Sequence, residues 1–402
     1  MPSSPLGLGA LLEAIEAAPP TAATAVLSDL LAEAFGASAV CFLIADFSGR
    51  SLIRLNPAAS KDGGRHTEAA TVALAGTPHG DALAAQTVQI RTGDGRTSVY
   101  APVTSRGEAV GVLELHLEAP PAAADIEALA TVAHALAYIV IANRRYTDLY
   151  EWGQRTRPLS LAAEIQHRLL PGSYTCEAGQ FTLAAWLEPA GDVGGDTFDF
   201  ALEPEALHLT MTDAMGHTVE AALLATVMTG ALRNARRRGV DLAAQAGEAN
   251  AALLEHAGRS QYVTGQLARV DLATQRAWIV NGGHPPPLRL RDGQVSRVAL
   301  AADPPFGTFA EGSYRVQELP LEPGDRLVFV TDGMLERGAA AVDLDALLVE
   351  SRDLHPREMV QHLSYAVLEA NGGELADDAT ALVLDWHGGP PRDRDASAGA
   401  DR

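Results

Sequence analysis

Leu207-His208-Leu209-Thr210-Met211-Thr212-Asp213-Ala214-Met215-Gly216-His217 is the stretch on which the reading of this chain turns. Alternating apolar and polar residues make a half-buried strand, an aspartate closes it, and a small-residue turn leads straight into a helical pattern from His217 to Arg238. A carboxylate at a strand end is presented where it can meet carboxylates from neighbouring strands.

Working outward from Asp213, three more acidic clusters share this setting: Gly194-Gly195-Asp196-Thr197-Phe198-Asp199, Thr331-Asp332-Gly333 and Asp377-Asp378-Ala379-Thr380. Asp332 closes the apolar run Leu327 to Thr331, and Asp377 opens the last strand, Ala379 to Leu384. Asp196 lies 17 residues before Asp213, the spacing of a hairpin that sets the two side by side. Taken singly, each aspartate is equally a turn residue or a helix cap. The ordered set, each member abutting a strand, points to one hard-cation site. Four aspartates packed together without a cation would repel, and some would take up protons. No His or Cys stands at chelating spacing, which favours magnesium or manganese over zinc.

The bulk properties bound the rest. A chain of 402 residues is too long for one ordinary core, so two domains are expected, and 47% hydrophobic with 20% charged residues suits globular folding. A formal charge of −21 argues against nucleic acid and anionic membrane as partners, since both select basic faces. The cysteines, Cys41 and Cys176, lie far apart without CxxC spacing, so neither a disulfide framework nor a thiolate zinc site is suggested. The N-terminus lacks a basic signal-like region, and the longest apolar stretch, Ala128 to Ala142, is broken by His134 and falls short of the roughly 20 residues that span a bilayer. A cytoplasmic protein is expected.

Composition shifts near residue 150. Residues 1–24 read as an N-terminal extension and 25–145 as a small α+β domain: a helix over Ala25 to Phe35, strands over Ala39 to Ala45, Thr97 to Val103 and Glu108 to Leu117, and Arg106-Gly107 at a hairpin. A long helix follows, with Ile126, Leu129, Val132, Leu136, Ile139 and Val140 on one stripe, running on to about Tyr150. With the amphipathic segment Leu161 to Leu170, capped by Ser160 and stopped by Pro171-Gly172, it makes a linker over 146–175 that either packs as core or dimerises the chain and carries a signal. Residues 176–386 alternate strands (Phe181 to Leu187, Ala206 to Thr212, Gly265 to Asp271, Arg276 to Val280, Arg326 to Thr331, Thr380 to Asp385) with helices (His217 to Arg238, Pro356 to Ala370). Strands outnumber helices, so antiparallel sheets with helices outside are expected, a sandwich. The Gly-, Pro-, Asp- and Arg-rich segment 387–402 reads as a disordered tail.

These motifs, in this order, resemble the metal-dependent serine/threonine protein phosphatases of PPM type, in the bacterial branch typified by SpoIIE and RsbU. Glu164-Ile165-Gln166-His167-Arg168-Leu169-Leu170-Pro171 is similar to that branch's opening helix, Gly195-Asp196-Thr197-Phe198-Asp199 to its first acidic motif, and Asn281-Gly282-Gly283-His284-Pro285-Pro286 stands between the second and third. The resemblance implies an α-β-β-α sandwich with two manganese or magnesium ions at one end. It makes Asp213 the bridging carboxylate, the Ala214 carbonyl a further ligand, Asp332 and Asp377 ligands of one ion, and Asp196 a ligand of the other, directly or through water. Asp199, Gly333 and Asp378 become supporting residues, and His217 a candidate general acid. Thr218 departs from the branch, which usually has glycine there; a positive φ at that position would be costly for a β-branched residue. Arg233, Arg236, Arg237 and Arg238 read as a helix C-terminus rather than an anion site, and His284-Pro285-Pro286-Pro287 as a rigid loop.

Val103 to Leu117 and the long helix after it resemble a GAF sensor domain, which implies a small-molecule ligand or a dimerising role. The function implied is a sensor-regulated phosphatase acting on a phosphoserine or phosphothreonine of a STAS-type anti-sigma-factor antagonist, in a homodimer. The alternatives are a catalytically silent binding module and a hydrolase of small phosphorylated metabolites.

Overall fold

A computed structural model gives the structure of the chain and describes residues 7–55, 70–93, 95–155, 159–190, 194–216, 218–256, 261–310, 312–335, 337–390, 392–394, 396–397 and 399–401. The chain forms two compact units, Met1–Pro158 with Asp395–Arg402, and Leu159–Arg394.

In the first unit, helices α1 (Leu8–Glu16) and α2 (Ala23–Phe35) precede strands β1 (Ala39–Ala45), β2 (Ser51–Arg54) and β3 (Thr71–Ala73). Helix α3 (Pro78–Ala85), strands β4 (Gln89–Gly93), β5 (Arg96–Ser105) and β6 (Glu108–Leu117), and helices α4 (Ala123–Asn143) and α5 (Leu149–Gly153) follow. Among the described residues the strands make one antiparallel sheet in the order β3-β2-β1-β6-β5-β4. The β5–β6 hairpin turns at Arg106-Gly107, as its sequence suggests. Leu11 and Ile15 of α1 lie in the core with α2 and α4, so the first residues described are part of this unit rather than an extension. The long helix ends at Asn143, not near Tyr150; a turn intervenes, with Thr147 Oγ1 accepting from the Leu149 N–H, and Tyr150 is buried from the separate α5. Helix α4, at 21 residues and mean hydropathy 1.6, is by length and composition enough to cross a membrane, longer than the apolar run suggests. Its Leu129, Val132, Leu136, Ile139 and Val140 pack instead into the core of the unit.

The second unit opens with α6 (Leu161–Leu169) and β7 (Thr175–Glu177), then β8 (Phe181–Glu188), β9 (Asp196–Glu203), β10 (Ala206–Ala214), α7 (Val219–Arg237) and α8 (Leu242–His256). Next come β11 (Val263–Asp271), β12 (Arg276–Gly282), β13 (Leu288–Arg291), β14 (Gln294–Arg297), β15 (Gln317–Leu319) and β16 (Arg326–Val330). Helices α9 (Leu344–Glu350) and α10 (Pro356–Ala370) and strand β17 (Ala379–Trp386) complete it. Among the described residues there are two antiparallel sheets, β15-β12-β11-β10-β9 and β14-β13-β16-β17-β8-β7.

Strand periodicity explains how they stack. In β16, Leu327 and Phe329 enter the core between the sheets, while Val328 and Val330 face Val360, Leu363 and Val367 of α10. In β10, Leu207, Leu209 and Met211 face that same inter-sheet core. Outside the first sheet, Leu224, Met228 and Leu232 of α7 and Leu253 of α8 cover Leu267 and Val280. The result is an α-β-β-α sandwich. Each Leu or Phe so buried contributes about 1.5–3 kcal/mol.

The segment from 387 differs from the disordered tail its composition suggests. The backbone N–H groups of His387 and Gly388 donate to the Gln180 carbonyl, Arg392 donates to Gly179, and Arg394 pairs with the fully buried Glu177. Ala396–Ser397 and Ala400–Asp401 form a short ladder. Ion pairs and backbone hydrogen bonds hold this tail, and a count of apolar residues does not register them.

Candidate metal centre

The register of β9 and β10 pairs Asp196 directly with Asp213. Cross-strand partners share a face, so both carboxylates lie on the face that carries Phe198, Leu209 and Met211 between the sheets, at the end where the strands stop. The opposing sheet answers from β16 and β17. Thr331 continues the inward parity of Leu327 and Phe329, and Thr380 that of Leu382 and Leu384. Their hydroxyls donate to Asp196 Oδ2 at 2.7 and 2.5 Å. Asp196 is 3% exposed. Burial, then the charges of Asp213 and Asp378, push its carboxyl well above the usual carboxylate range, against the pull of the two hydroxyls.

Asp378 organises the approach to the site. Its Oδ1 accepts from the Ala190 N–H at 2.9 Å, and its Oδ2 from Gln166 Nε2 at 2.5 Å and the Gly195 N–H at 3.2 Å. Burial raises its pKa in spite of these donors. Asp377, exposed beside it, accepts from the Asp378 N–H at 3.0 Å. Asp332 begins a short 3-10 turn to Met334 that lies against this pair. Gly333 is required there: a Cβ would fall 2.0 Å from the Asp378 carbonyl oxygen.

The donors fit a hard divalent cation. All are oxygens, and the Asp196 carboxyl is buried with the charges of Asp213 and Asp378 beside it. Among the described residues no three His, Cys, Asp or Glu side chains gather closely enough to hold a metal ion alone. A cation here would complete its shell with backbone carbonyls, that of Ala214 among them, and with water, as magnesium and manganese do.

Three expectations are corrected. Asp199 does not support this centre: three residues on from Asp196, it faces the opposite side of β9, where Arg233 grips it at 3.1 and 2.9 Å and Arg236 at 3.0 Å. The arginines are therefore not merely a helix end; two of them clamp α7 to β9. The concern over Thr218 also falls away, because its φ is −131° and its hydroxyl caps α7, while Gly216 carries the positive φ of 110°. His217 lies outside the described residues. His284 bonds Thr264 Oγ1 at 2.9 Å from a loop locked by Asn281, a structural role in keeping with a rigid loop, and burial lowers its pKa to about 4.

Residues 203–387 match the family described as Stage II sporulation protein E (SpoIIE), a span that contains Asp213, Asp332 and Asp377. That span is a SpoIIE-type phosphatase domain. It is homologous to two phosphoserine phosphatases of Bacillus subtilis (strain 168). RsbU is 22% identical over 267 residues, 63% of this chain and 79% of its own length. RsbP is 24% identical over 239 residues, 57% of this chain and 58% of its own length. The solved PP2C domain of Bacillus subtilis SpoIIE with a fragment of its regulatory domain is 16% identical at a TM-score of 0.46, covering 76% of this chain and 83% of that one. The catalytic domain of PstP, solved with two manganese ions, is 18% identical at a TM-score of 0.40, covering 51% of this chain and 97% of that one. The phosphatase domain's hydroxyl partners, Thr331 and Thr380, sit inside the quoted motifs, but their inward parity becomes meaningful only once the two sheets face each other.

Proposed function

We propose that the chain is a metal-dependent phosphoprotein phosphatase in which Asp196, Asp213, Asp332, Asp377 and the Ala214 carbonyl hold two manganese or magnesium ions. The observation that carries this is the cross-strand pairing of Asp196 with Asp213 on the face between the sheets, with Asp196 buried against the Thr331 and Thr380 hydroxyls. Two such ions supply Lewis acidity and activation of water for in-line attack on a phosphomonoester. The chain's own part is to hold the carboxylates rigid: Thr331 and Thr380 fix Asp196, Asp378 fixes the strand start at Asp196, and Gly333 admits the Asp332 turn. The homology to phosphoserine phosphatases supports a phosphorylated protein as the substrate, and a STAS-type anti-sigma antagonist is the substrate proposed.

The first unit is read as a GAF-like sensor that takes a small-molecule ligand and regulates the phosphatase domain. Its antiparallel sheet flanked by α2, α3 and α4 supports this reading. The exposed Tyr138 and Ile141 of α4, with Tyr146 beyond it, support a homodimer. Phosphate release from a phosphorylated STAS protein, with and without manganese, tests the enzymatic reading. Asp213→Asn should abolish release while the thermal midpoint holds; retained activity overturns the mechanism.

A further inference from the structure

The sheet that carries Asp196 and Asp213 continues sideways past the acidic centre. Asp213 pairs with Thr264 and Ala214 with Val263 of β11, and Val263 in turn exchanges both backbone hydrogen bonds with Phe306, at 3.0 and 2.8 Å. Phe306 therefore stands two strand spacings, about 10 Å, from Ala214 at the same end of the sheet. The loop that follows is pinned from α8. Asn250, buried, accepts from the Gly307 N–H at 2.8 Å and from the Tyr314 hydroxyl at 3.1 Å, and its Nδ2 donates to the Phe309 carbonyl at 2.9 Å. Phe306 stacks on Tyr314 with ring centroids 4.7 Å apart. Phe309 is nevertheless 62% exposed, on a backbone that hydrogen bonds hold still. Met215, which follows Ala214 and whose N–H donates to the Tyr262 carbonyl at 3.0 Å, is 40% exposed. A single exposed apolar side chain needs no explanation. Met215, the half-buried Tyr262 and Phe309, however, follow one another along the sheet end beside the carboxylates and make an apolar ledge.

We propose that this ledge, with Phe309 as its anchor, is where a phosphoprotein substrate docks: the chain flanking the phosphorylated residue lies across it while the phosphate is at the metal centre. The inference deepens the phosphoprotein-phosphatase reading above and rests on it. The reach fits, since an extended segment advances about 3.3 Å per residue and side chains three to five positions from the phosphorylated residue arrive at Phe309. Charge also calls for an apolar anchor. A phosphoserine carries about −1.5 to −2, and a chain of formal charge −21 offers it no attraction beyond the cations themselves. Affinity for the rest of the substrate then comes from buried apolar area, in which aromatic side chains are the common anchors. The pinned loop adds preorganisation: with its backbone already fixed, Phe309 gives up little conformational freedom on binding. A small phosphorylated molecule does not extend to the ledge and gains nothing from it.

The test uses the full chain with Phe309→Ala, an exposed substitution that should leave the thermal midpoint in place. Steady-state kinetics with manganese compare p-nitrophenyl phosphate with two phosphoproteins, a serine-phosphorylated STAS protein and phosphocasein. For the phosphoprotein that wild type turns over, we expect KM to rise about 10–30-fold with kcat within about 2-fold, the pattern of lost substrate binding. Both constants for p-nitrophenyl phosphate should stay within about 2-fold of wild type, a split that a damaged metal centre or general unfolding does not produce. Phe309→Tyr, which keeps the ring, should recover most of the phosphoprotein kcat/KM. Unchanged phosphoprotein kinetics in Phe309→Ala, an equal loss on both kinds of substrate, or a loss that Phe309→Tyr does not repair overturns the inference alone. A wild-type chain that hydrolyses p-nitrophenyl phosphate but neither phosphoprotein overturns the protein-substrate reading and this inference with it. A wild-type chain with no manganese-dependent hydrolysis at all overturns the metal reading as well.

Discussion

Asp199→Ala separates the two acidic residues of the first motif, Asp196 and Asp199, by what each is for. Asp199 and Arg236 have side chains only 8% and 9% exposed and meet at 3.0 Å, and Arg233 closes the triad at 2.9 Å. Removing the carboxylate leaves the Arg236 guanidinium buried without a counter-charge. Breaking a buried pair from one side costs about 3–5 kcal/mol. For a domain of this size each kcal/mol moves the midpoint by roughly 2–4 °C, so thermal unfolding should fall by roughly 6–20 °C. Manganese affinity, measured by calorimetry below the new midpoint, should stay within about 3-fold of wild type, because Asp199 lies on the helix face of β9 and not on the face of Asp213. Circular dichroism melts with and without manganese provide the stability readout. A midpoint that holds while manganese affinity collapses refutes the argument from strand parity and returns Asp199 to the metal centre.

Three further outcomes follow from the geometry. Gly333→Ala places a methyl 2.0 Å from the Asp378 carbonyl oxygen, so backbone must yield; we expect a loss of about 1–3 kcal/mol in urea unfolding together with weaker manganese binding, and a variant unchanged in both would refute the close approach. His284 has a folded pKa lowered from 6.5 to about 4 by burial, so its contribution is present above pH 6.5 and lost as pH falls to about 4. Wild type should therefore lose ~3 kcal/mol more than His284→Asn over that window in urea melts, and parallel pH profiles would contradict the assignment. In the first unit, burial alone would raise Glu114, but His79 and Arg54 outweigh it and its pKa is lowered. Stability from Glu114 is thus present above the ordinary value of 4.5 and lost as pH falls through the lower folded value, so Glu114→Gln should flatten the acid limb of the wild-type stability curve.

What could be read in advance follows from where the information resides. β10 and β16 announce themselves because alternation in the first, a continuous apolar run in the second and a terminal aspartate in both are local properties, and the hairpin spacing correctly sets Asp196 beside Asp213. Helix α8 does not, since Leu242-Ala243-Ala244-Gln245-Ala246-Gly247 offers alanine in place of an apolar stripe, and its burial against α7 is a tertiary fact. The short strands β13 to β15 lack the length for a period of two to stand out. The tail from 387 is held by charge pairs whose partners, such as Glu177, lie some two hundred residues away in sequence.

The same distinction explains why Asp199 misled and Asp378 did not. Motif proximity treats Asp196 and Asp199 as one cluster, yet an offset of three residues on a strand reverses the side chain and sends the second carboxylate to α7. Asp378, which the resemblance makes a supporting residue beside Asp377, is turned inward with Thr380 by the same parity, where four donors surround it. A strand can offer only one carboxylate in two to a site on a given face, so a run of acids at its end divides between binding and building. In this chain Asp196 and Asp213 face the candidate cation site, Asp378 secures the backbone that carries Asp196, and Asp199 fastens the helix behind it. The acidic clusters thus serve the centre and its supporting framework at once, and which does which is decided by pleat rather than by motif.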